Sequence, residues 1–172
     1  DDILTYFLEY SQQMPQFSPD FKYLLKVCAE KGKNETFKIL LHYGASAFES
    51  PDLLDHVVSF ETVNYLDIQT MLESIKDYST DFTREKMKLF LSGTPNKSAL
   101  SRAAKQGKHK LCECLVNYCL DYEVDLLEVK PSALKLAAKQ ENEETFNILL
   151  KGFSTKYKLE DLALVDIEIN EG

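Results

Sequence analysis

The feature that most constrains this chain is an internal repeat. The nine residues from Ser98 to Gln106 recur from Ser132 to Gln140 with seven identities, at an offset of 34 residues. A second segment, Glu35 to Leu41, recurs as Glu144 to Leu150 with six identities in seven. Both segments occur in the last copy, so they are two parts of one unit. Repeats of this period form arrays in which each unit buries apolar surface against its neighbours.

Each unit is predicted to contain two helices joined by a tight turn. In the first helix, Leu100, Ala103 and Ala104 recur at i, i+3 and i+4, which places them on one apolar face. The second helix carries larger apolar residues, such as Phe146 and Leu149. Small residues in the first helix allow neighbouring helices to pack closely.

Glycines and prolines mark the ends of the predicted helices. Gly32 and Gly107 fall between paired helices, where a chain reversal favours a positive φ. Gly44 and Gly152 are expected to end second helices. Prolines precede the predicted first helices by a few residues, at Pro19, Pro51, Pro95 and Pro131.

These segments resemble the ankyrin repeat, which has a period of about 33 residues. The ankyrin pattern is T-P-L-H-x-A-A-x-x-G. Its T-P-L-H tetrapeptide is not intact in this chain, where Ser98-Ala-Leu-Ser occupies the position. The resemblance implies an all-α fold, an ankyrin-like helical-repeat solenoid of about four units with capping helices. The matching stretches are Val27–Gly32 with Leu40–Ser46, Ala103–Lys108, and Ala137–Ala138 with Leu149–Leu150.

The chain, residues 1–172, is predicted to be a single ankyrin-repeat-like array. The second unit is the least regular, so residues 76–82 are expected to form an inserted loop or extra turn before a helix over 83–91. Its apolar positions give a helical face at Val63, Leu66, Ile68, Met71, Leu72 and Ile75. The predicted segments are an N-terminal cap at 1–18, repeats at 20–50, 51–94, 95–130 and 131–155, and a C-terminal cap with an acidic tail at 156–172.

Composition indicates an intracellular protein of the cytoplasm or the nucleus. The longest uninterrupted apolar run, Leu162 to Val165, is too short to span a membrane. The acidic first residues predict no signal peptide, and the missing initial Met suggests a piece of a longer protein. Cys112 and Cys114 are too close to bridge comfortably in a helix, so the four cysteines are expected to be reduced.

No motif for catalysis, nucleotide binding or metal binding is present. His42, His56 and His109 lie far apart in the sequence. The cysteines at 112, 114 and 119 fall where other units carry core residues, which favours small buried side chains over zinc ligands. The expectation is a non-enzyme without cofactor, metal or small-molecule substrate.

The charge distribution supplies a candidate site. The net charge is −8, yet residues 88–110 hold six bases and no acid, and residues 160–172 hold five acids and no base. The ankyrin resemblance implies a Lys-rich concave face that suits an acidic peptide or loop of another protein, or a docked acidic tail. A solvated surface with chance clustering of charge is the alternative. The implied partner-binding residues are Lys22, Glu30, Lys31, Ser59, Phe60, Lys97, Lys105, Gln106, Lys135, Lys139 and Gln140.

Phe60 has two interpretations, an exposed aromatic anchor on that face or, as the favoured one, a core residue of an irregular repeat.

The predicted function is a non-catalytic protein–protein interaction module, an adaptor that uses the concave face and the loops between repeats. One alternative is a regulatory ankyrin segment of a larger channel, enzyme or microbial effector. Nucleic-acid binding through residues 88–110 ranks last, because Phe90 alone interleaves those bases for stacking.

Overall fold

The regular secondary structure in the described part of this chain is helical. The computed structural model describes residues 2–14, 16, 19–158 and 160–162, and these ranges contain no β-strand. Within them no helix combines the length and the apolar character needed to cross a membrane. The helices are α1 (Asp2–Gln13), α2 (Phe21–Glu30), α3 (Asn34–His42), a short 3-10 helix (Ala47–Glu49), α4 (Leu53–Val58), α5 (Tyr65–Tyr78), α6 (Arg84–Ser92), α7 (Ala99–Lys105), α8 (His109–Asp121), α9 (Ala133–Lys139) and α10 (Glu143–Ser154).

Contacts between residues divide the chain into two compact units. The first unit takes its described residues from Asp1–Ser50 and Gln69–Phe82, and the second takes them from Pro51–Ile68 and Thr83–Gly172. Helix α5 belongs to both units, because the division falls within it. One boundary between the units, after residue 50, coincides with the boundary between the predicted first and second repeats. The other two boundaries fall inside the predicted second repeat, 51–94.

The first unit is built around the paired helices α2 and α3. Their apolar faces bury Leu25, Phe37 and Leu40, each exposed by no more than 2%. The Asp20 carboxylate begins α2 by accepting a hydrogen bond from the Tyr23 backbone N–H at 3.0 Å. This N-cap satisfies a backbone donor that the first turn of a helix leaves without an intrahelical partner.

In the second unit, α7 and α8 are the helices that contact most of the others. Helix α7 contacts α4, α8 and α9, while α8 contacts α6 and α10. Ala103 on α7 and Ala137 on α9 are fully buried. Short side chains at these positions fit the contact between α7 and α9. Ala104 is also buried, whereas its counterpart Ala138 is exposed, so the predicted apolar face is buried in full on α7 and only in part on α9.

Gly152 does not end the last helix, as the sequence analysis expected, because α10 continues to Ser154. A Cβ atom at position 152 would overlap the Val116 side chain on α8. The glycine therefore permits close packing of α8 against α10 and plays no part in ending α10, whose last residue is Ser154.

The irregular second repeat departs from its prediction in two places. Residues 76–78 are the last turn of α5 and not part of an inserted loop. Leu66 is 55% exposed and does not join the buried face that its neighbours Ile68 and Leu72 form. The helix predicted over 83–91 is confirmed as α6, which begins when Thr83 Oγ1 accepts a hydrogen bond from the Lys86 N–H at 3.1 Å.

The turns between paired helices adopt a left-handed backbone, as predicted. Gly32 has a φ of 61° and Gly107 a φ of 67°. At the position that corresponds to Gly107 in the next repeat, Glu141 adopts a φ of 52°. A side chain disfavours this conformation, so the two copies of the turn share a geometry although only one carries glycine.

The four cysteines form no disulfide, and three of them, Cys28, Cys112 and Cys119, are core residues. Burial raises the pKa of Cys112 to about 12 and the pKa of Cys119 to about 12. Both thiols are therefore protonated at neutral pH. Cys114 is half-buried on α8, so the prediction of core packing is confirmed for Cys112 and Cys119 and only in part for Cys114.

The paired turns at 107 and 141 allow a matched test of backbone strain. Glu141→Gly should raise the free energy of unfolding by about 0.5–1 kcal/mol, because glycine adopts this left-handed backbone conformation without the strain that a side chain causes. Gly107→Ala should lower it by about 1–2 kcal/mol, since the added Cβ is strained and overlaps the Asn142 amide that caps α10. Urea unfolding followed by circular dichroism measures both; a destabilising Glu141→Gly would contradict this account.

Candidate functional site

The predicted partner-binding residues fall in both units. Lys22, Glu30 and Lys31 belong to the first unit, on α2 and at its C-terminal end. The other eight belong to the second unit. There, two of them meet at a cavity.

Lys97 and Lys105 line a surface cavity of about 160 Å³ in the second unit. The same cavity is lined by Asp55 on α4 and by Pro131 and Leu136 from the following repeat. It therefore lies where α4, α7, α9 and the segments that lead into α7 and α9 supply side chains.

Helix α7 supplies most of the polar lining of this cavity. Ser98, at the N-cap, is followed by Ser101, Arg102 and Lys105, so the four residues are spaced at i, i+3, i+4 and i+7. This spacing places them along one side of a helix. Ser101 Oγ donates a hydrogen bond to the Pro131 carbonyl, which joins this side of α7 to the segment that leads into α9.

Arg102 and Asp55 form a two-pronged ion pair in the cavity wall. Arg102 Nε lies 2.7 Å from Asp55 Oδ1, and Nη2 lies 2.8 Å from Oδ2. The Asp55 side chain is only 7% exposed, and the hydrogen bonds to it raise the pKa of Arg102. A buried carboxylate needs such a partner, so this pair fixes α4 against α7 and holds the guanidinium in place.

A tight turn holds Lys97 at the rim of the cavity. The Thr94 N–H donates to the Lys97 carbonyl at 2.9 Å, and the Lys97 N–H donates to the Thr94 carbonyl at 3.1 Å. Pro95 and Asn96 occupy the middle of this turn, a position that suits the fixed φ of proline and the turn preference of asparagine. The turn therefore sets the direction from which Lys97 enters the site.

Neither the Lys97 nor the Lys105 ammonium group bonds to another residue in the described part of the chain. Both residues are exposed. In contrast to Arg102, these two cations are free to meet an external anion.

Lys108, three residues after Lys105, is used entirely within the fold. Its ammonium group donates to the backbone carbonyls of Val58 at 3.3 Å, Phe60 at 2.7 Å and Val63 at 3.4 Å. Burial lowers the pKa of Lys108, and the nearby Glu61 opposes this shift. Because the end of a helix leaves carbonyl groups without intrahelical donors, Lys108 stabilises the turn that follows α4.

The remaining predicted residues are spread over the second unit. Gln106 Nε2 donates to the Ser59 carbonyl at 3.2 Å, which brings these two together. Phe60 is half-buried, with its ring 5.2 Å from that of His56, and so is neither an open anchor nor a fully buried residue.

The predicted residues of α9 do not line the cavity. Lys135 is half-buried in the first turns of α9. Lys139 and Gln140 are exposed at its C-terminal end, in a part of the repeat that corresponds to Lys105 and Gln106. The cavity receives Leu136 alone from this helix.

The predicted partner-binding residues omitted most of the cavity lining, namely Asp55, Asn96, Ser98, Ser101, Arg102, Pro131 and Leu136. Asp55 lies 47 residues before Arg102, and no local pattern links them. Ser98 was recognised only as the start of a repeated segment, although comparison with its repeat counterpart Ser132 was available as a signal. In the predicted acidic tail, Glu160 and Asp161 are described and exposed, while Asp166, Glu168 and Glu171 lie outside the described residues.

Two further features of the described residues bear on function. They contain no group of three or more His, Cys, Asp or Glu side chains arranged to hold a metal ion. A second cavity of about 340 Å³ lies in the first unit beside Lys38 and Tyr78, but Lys38 is already paired with Glu35 at 2.7 Å. None of the predicted partner-binding residues lines that cavity.

Comparisons with known proteins identify no relative of this chain. It matches no family model, no curated protein and no solved structure. The functional proposal therefore depends on the chemistry of the second-unit cavity.

The contrast between Lys108 and Lys105 predicts different effects on stability. Lys108→Met should lower the free energy of unfolding by about 2 kcal/mol, because it removes a charged donor from three carbonyls. Lys105→Met should change it by no more than about 0.5 kcal/mol, as expected for an exposed side chain. Urea unfolding of both variants measures the difference, and equal losses would contradict the assigned roles.

Proposed function

We propose that this chain is a non-catalytic protein-interaction module that binds an acidic segment of a partner protein at the second-unit cavity. The observation that carries the proposal is the pair of free, exposed cations at that cavity, Lys97 and Lys105. Charged groups without an internal partner are suited to steer and orient a ligand of opposite charge. In a chain of net charge −8, a local excess of positive charge also discriminates between partners.

The internal use of the neighbouring bases supports this choice of residues. Arg102 is paired with Asp55, and Lys108 donates to three carbonyls. Only part of the basic stretch is therefore available to a partner. This also gives less support to nucleic-acid binding, which depends on many free cations along a surface.

We propose further that the helices form an ankyrin-like repeat array. Helices α7 and α9 have the same length, begin at repeated serines and end in turns of similar left-handed geometry. The contacts of α7 with α9 and of α8 with α10 are those that stacked helix pairs would make. The free thiols fit an intracellular setting for such an array.

Charge reversal tests the proposed function directly. A short fluorescein-labelled peptide rich in Asp and Glu should bind the wild-type chain, and fluorescence anisotropy should show at least about tenfold weaker binding to Lys97→Glu/Lys105→Glu. Reversal replaces attraction by repulsion at both positions. The fold of the variant is checked by circular dichroism.

Lys26→Glu/Lys33→Glu is the matched control, because both residues are exposed lysines of the first unit and the double reversal changes the net charge by the same amount. It should weaken peptide binding by less than about threefold. Equal losses for reversals in both units, or peptide binding that none of the reversals alters, would overturn the proposed site.

A further inference from the structure

The second-unit cavity contains a buried polar atom that the fold does not use. Ser98 is 1% exposed and lines the cavity, and its Oγ has no hydrogen-bond partner. A buried hydroxyl without a partner is costly, and a ligand in the cavity that accepts a hydrogen bond from it would recover this cost.

The repeat shows that this hydroxyl is free for a specific reason. Ser132, the counterpart of Ser98 at the start of α9, accepts a hydrogen bond from the Lys135 N–H at 3.4 Å. Ser98 makes no such cap at the start of α7. The same residue at the same repeat position is therefore used for helix capping in one copy and left available in the other.

The charges around Ser98 favour a doubly charged anion. Lys97, Lys105 and Arg102 face one carboxylate, Asp55, which leaves an excess of two positive charges. Both Asp55 oxygens already accept hydrogen bonds from Arg102, so the negative charge nearest the ligand is compensated. A phosphate monoester carries about −1.5 to −2 at pH 7, whereas a carboxylate carries a single charge.

The donors and the space at the cavity fit the same group. Besides the Ser98 hydroxyl and two ammonium groups, Arg102 keeps three of its five N–H donors after binding Asp55. Such a donor set matches the three terminal oxygens of a phosphate ester better than the two oxygens of a carboxylate. A volume of about 160 Å³ is below the ~300–1,000 Å³ of pockets for drug-sized ligands and suits a single small group.

From these observations we infer that the cavity beside α7 binds a phosphate group carried by a phosphorylated serine or threonine in the partner's acidic segment. This inference rests on the proposed function, since it names the side chain that the partner inserts. Lys97 and Lys105 neutralise the phosphate, Ser98 Oγ donates a hydrogen bond to one of its oxygens, and Arg102 is held in position by Asp55.

The test compares an acidic peptide that contains one phosphoserine with the same peptide carrying unmodified serine. Fluorescence anisotropy should show about tenfold tighter binding of the phosphopeptide to the wild-type chain, as expected for added charge-assisted hydrogen bonds. Inorganic phosphate at constant ionic strength should displace the phosphopeptide from the wild-type chain. Equal affinity of the two peptides would overturn the inference.

Matched variants test which residues cause the preference for the phosphopeptide over the serine peptide. Ser98→Ala and Lys105→Glu should each remove most of the tenfold preference, whereas their repeat counterparts Ser132→Ala and Lys139→Glu should retain it. Because the Ser98 hydroxyl bonds to nothing in the described structure, Ser98→Ala should unfold at the same urea concentration as the wild type or a higher one. A preference that persists in Ser98→Ala and Lys105→Glu would overturn the assignment to this cavity.

The outcomes also separate this inference from the proposed function. If the serine peptide binds and phosphorylation adds nothing, the acidic-segment proposal stands and the phosphate site is wrong. If inorganic phosphate binds the cavity while the two peptides remain equal, the assignment to a partner's side chain is wrong. If neither peptide binds, both proposals fail.

Discussion

The structure of the second unit depends on satisfying the backbone carbonyl groups that follow its helices. After α4, the carbonyls of Val58, Phe60 and Val63 accept hydrogen bonds from Lys108. After α8, basic side chains again supply the donors, Arg84 to the Asp121 carbonyl at 2.6 Å and Lys156 to the Val124 carbonyl at 3.1 Å. Helix ends lack intrahelical donors for these groups, and a long basic side chain from another segment both satisfies them and joins the segments.

This use of basic residues explains why a basic stretch does not make an equally basic surface. Within residues 88–110, Lys108 is bound to carbonyls and Arg102 to Asp55, while Lys97 and Lys105 remain open at the cavity. The fold thus converts a run of similar residues into two groups with different roles. One group bonds within the fold, Lys108 to the carbonyls after α4 and Arg102 to Asp55, and the other group is exposed at the cavity. Ser98 and its counterpart Ser132 show the same divergence of role at one repeat position.

Most of the helices were predictable from the sequence, because periodic apolar residues, prolines and glycines act locally. The first helices at 99–105 and 133–139 and the left-handed turn at Gly107 follow directly from the repeat. Gly152 was misinterpreted because glycine serves close packing as well as helix termination, and only the position of Val116 distinguishes the two. The site was predictable in part: Lys97 and Lys105 followed from the register, but the pairing of Asp55 with Arg102 links distant segments and leaves no local pattern.

The division of the lysines into bound and free groups is the central claim, and the hydrogen exchange of their ammonium groups tests it most directly. In a nitrogen-15 NMR experiment on the lysine side chains of the full chain, the Lys108 ammonium should exchange with water markedly more slowly than those of Lys97 and Lys105. Its three carbonyl acceptors and partial burial hold the protons in place. Equal exchange rates at Lys108 and Lys105 would contradict the claim.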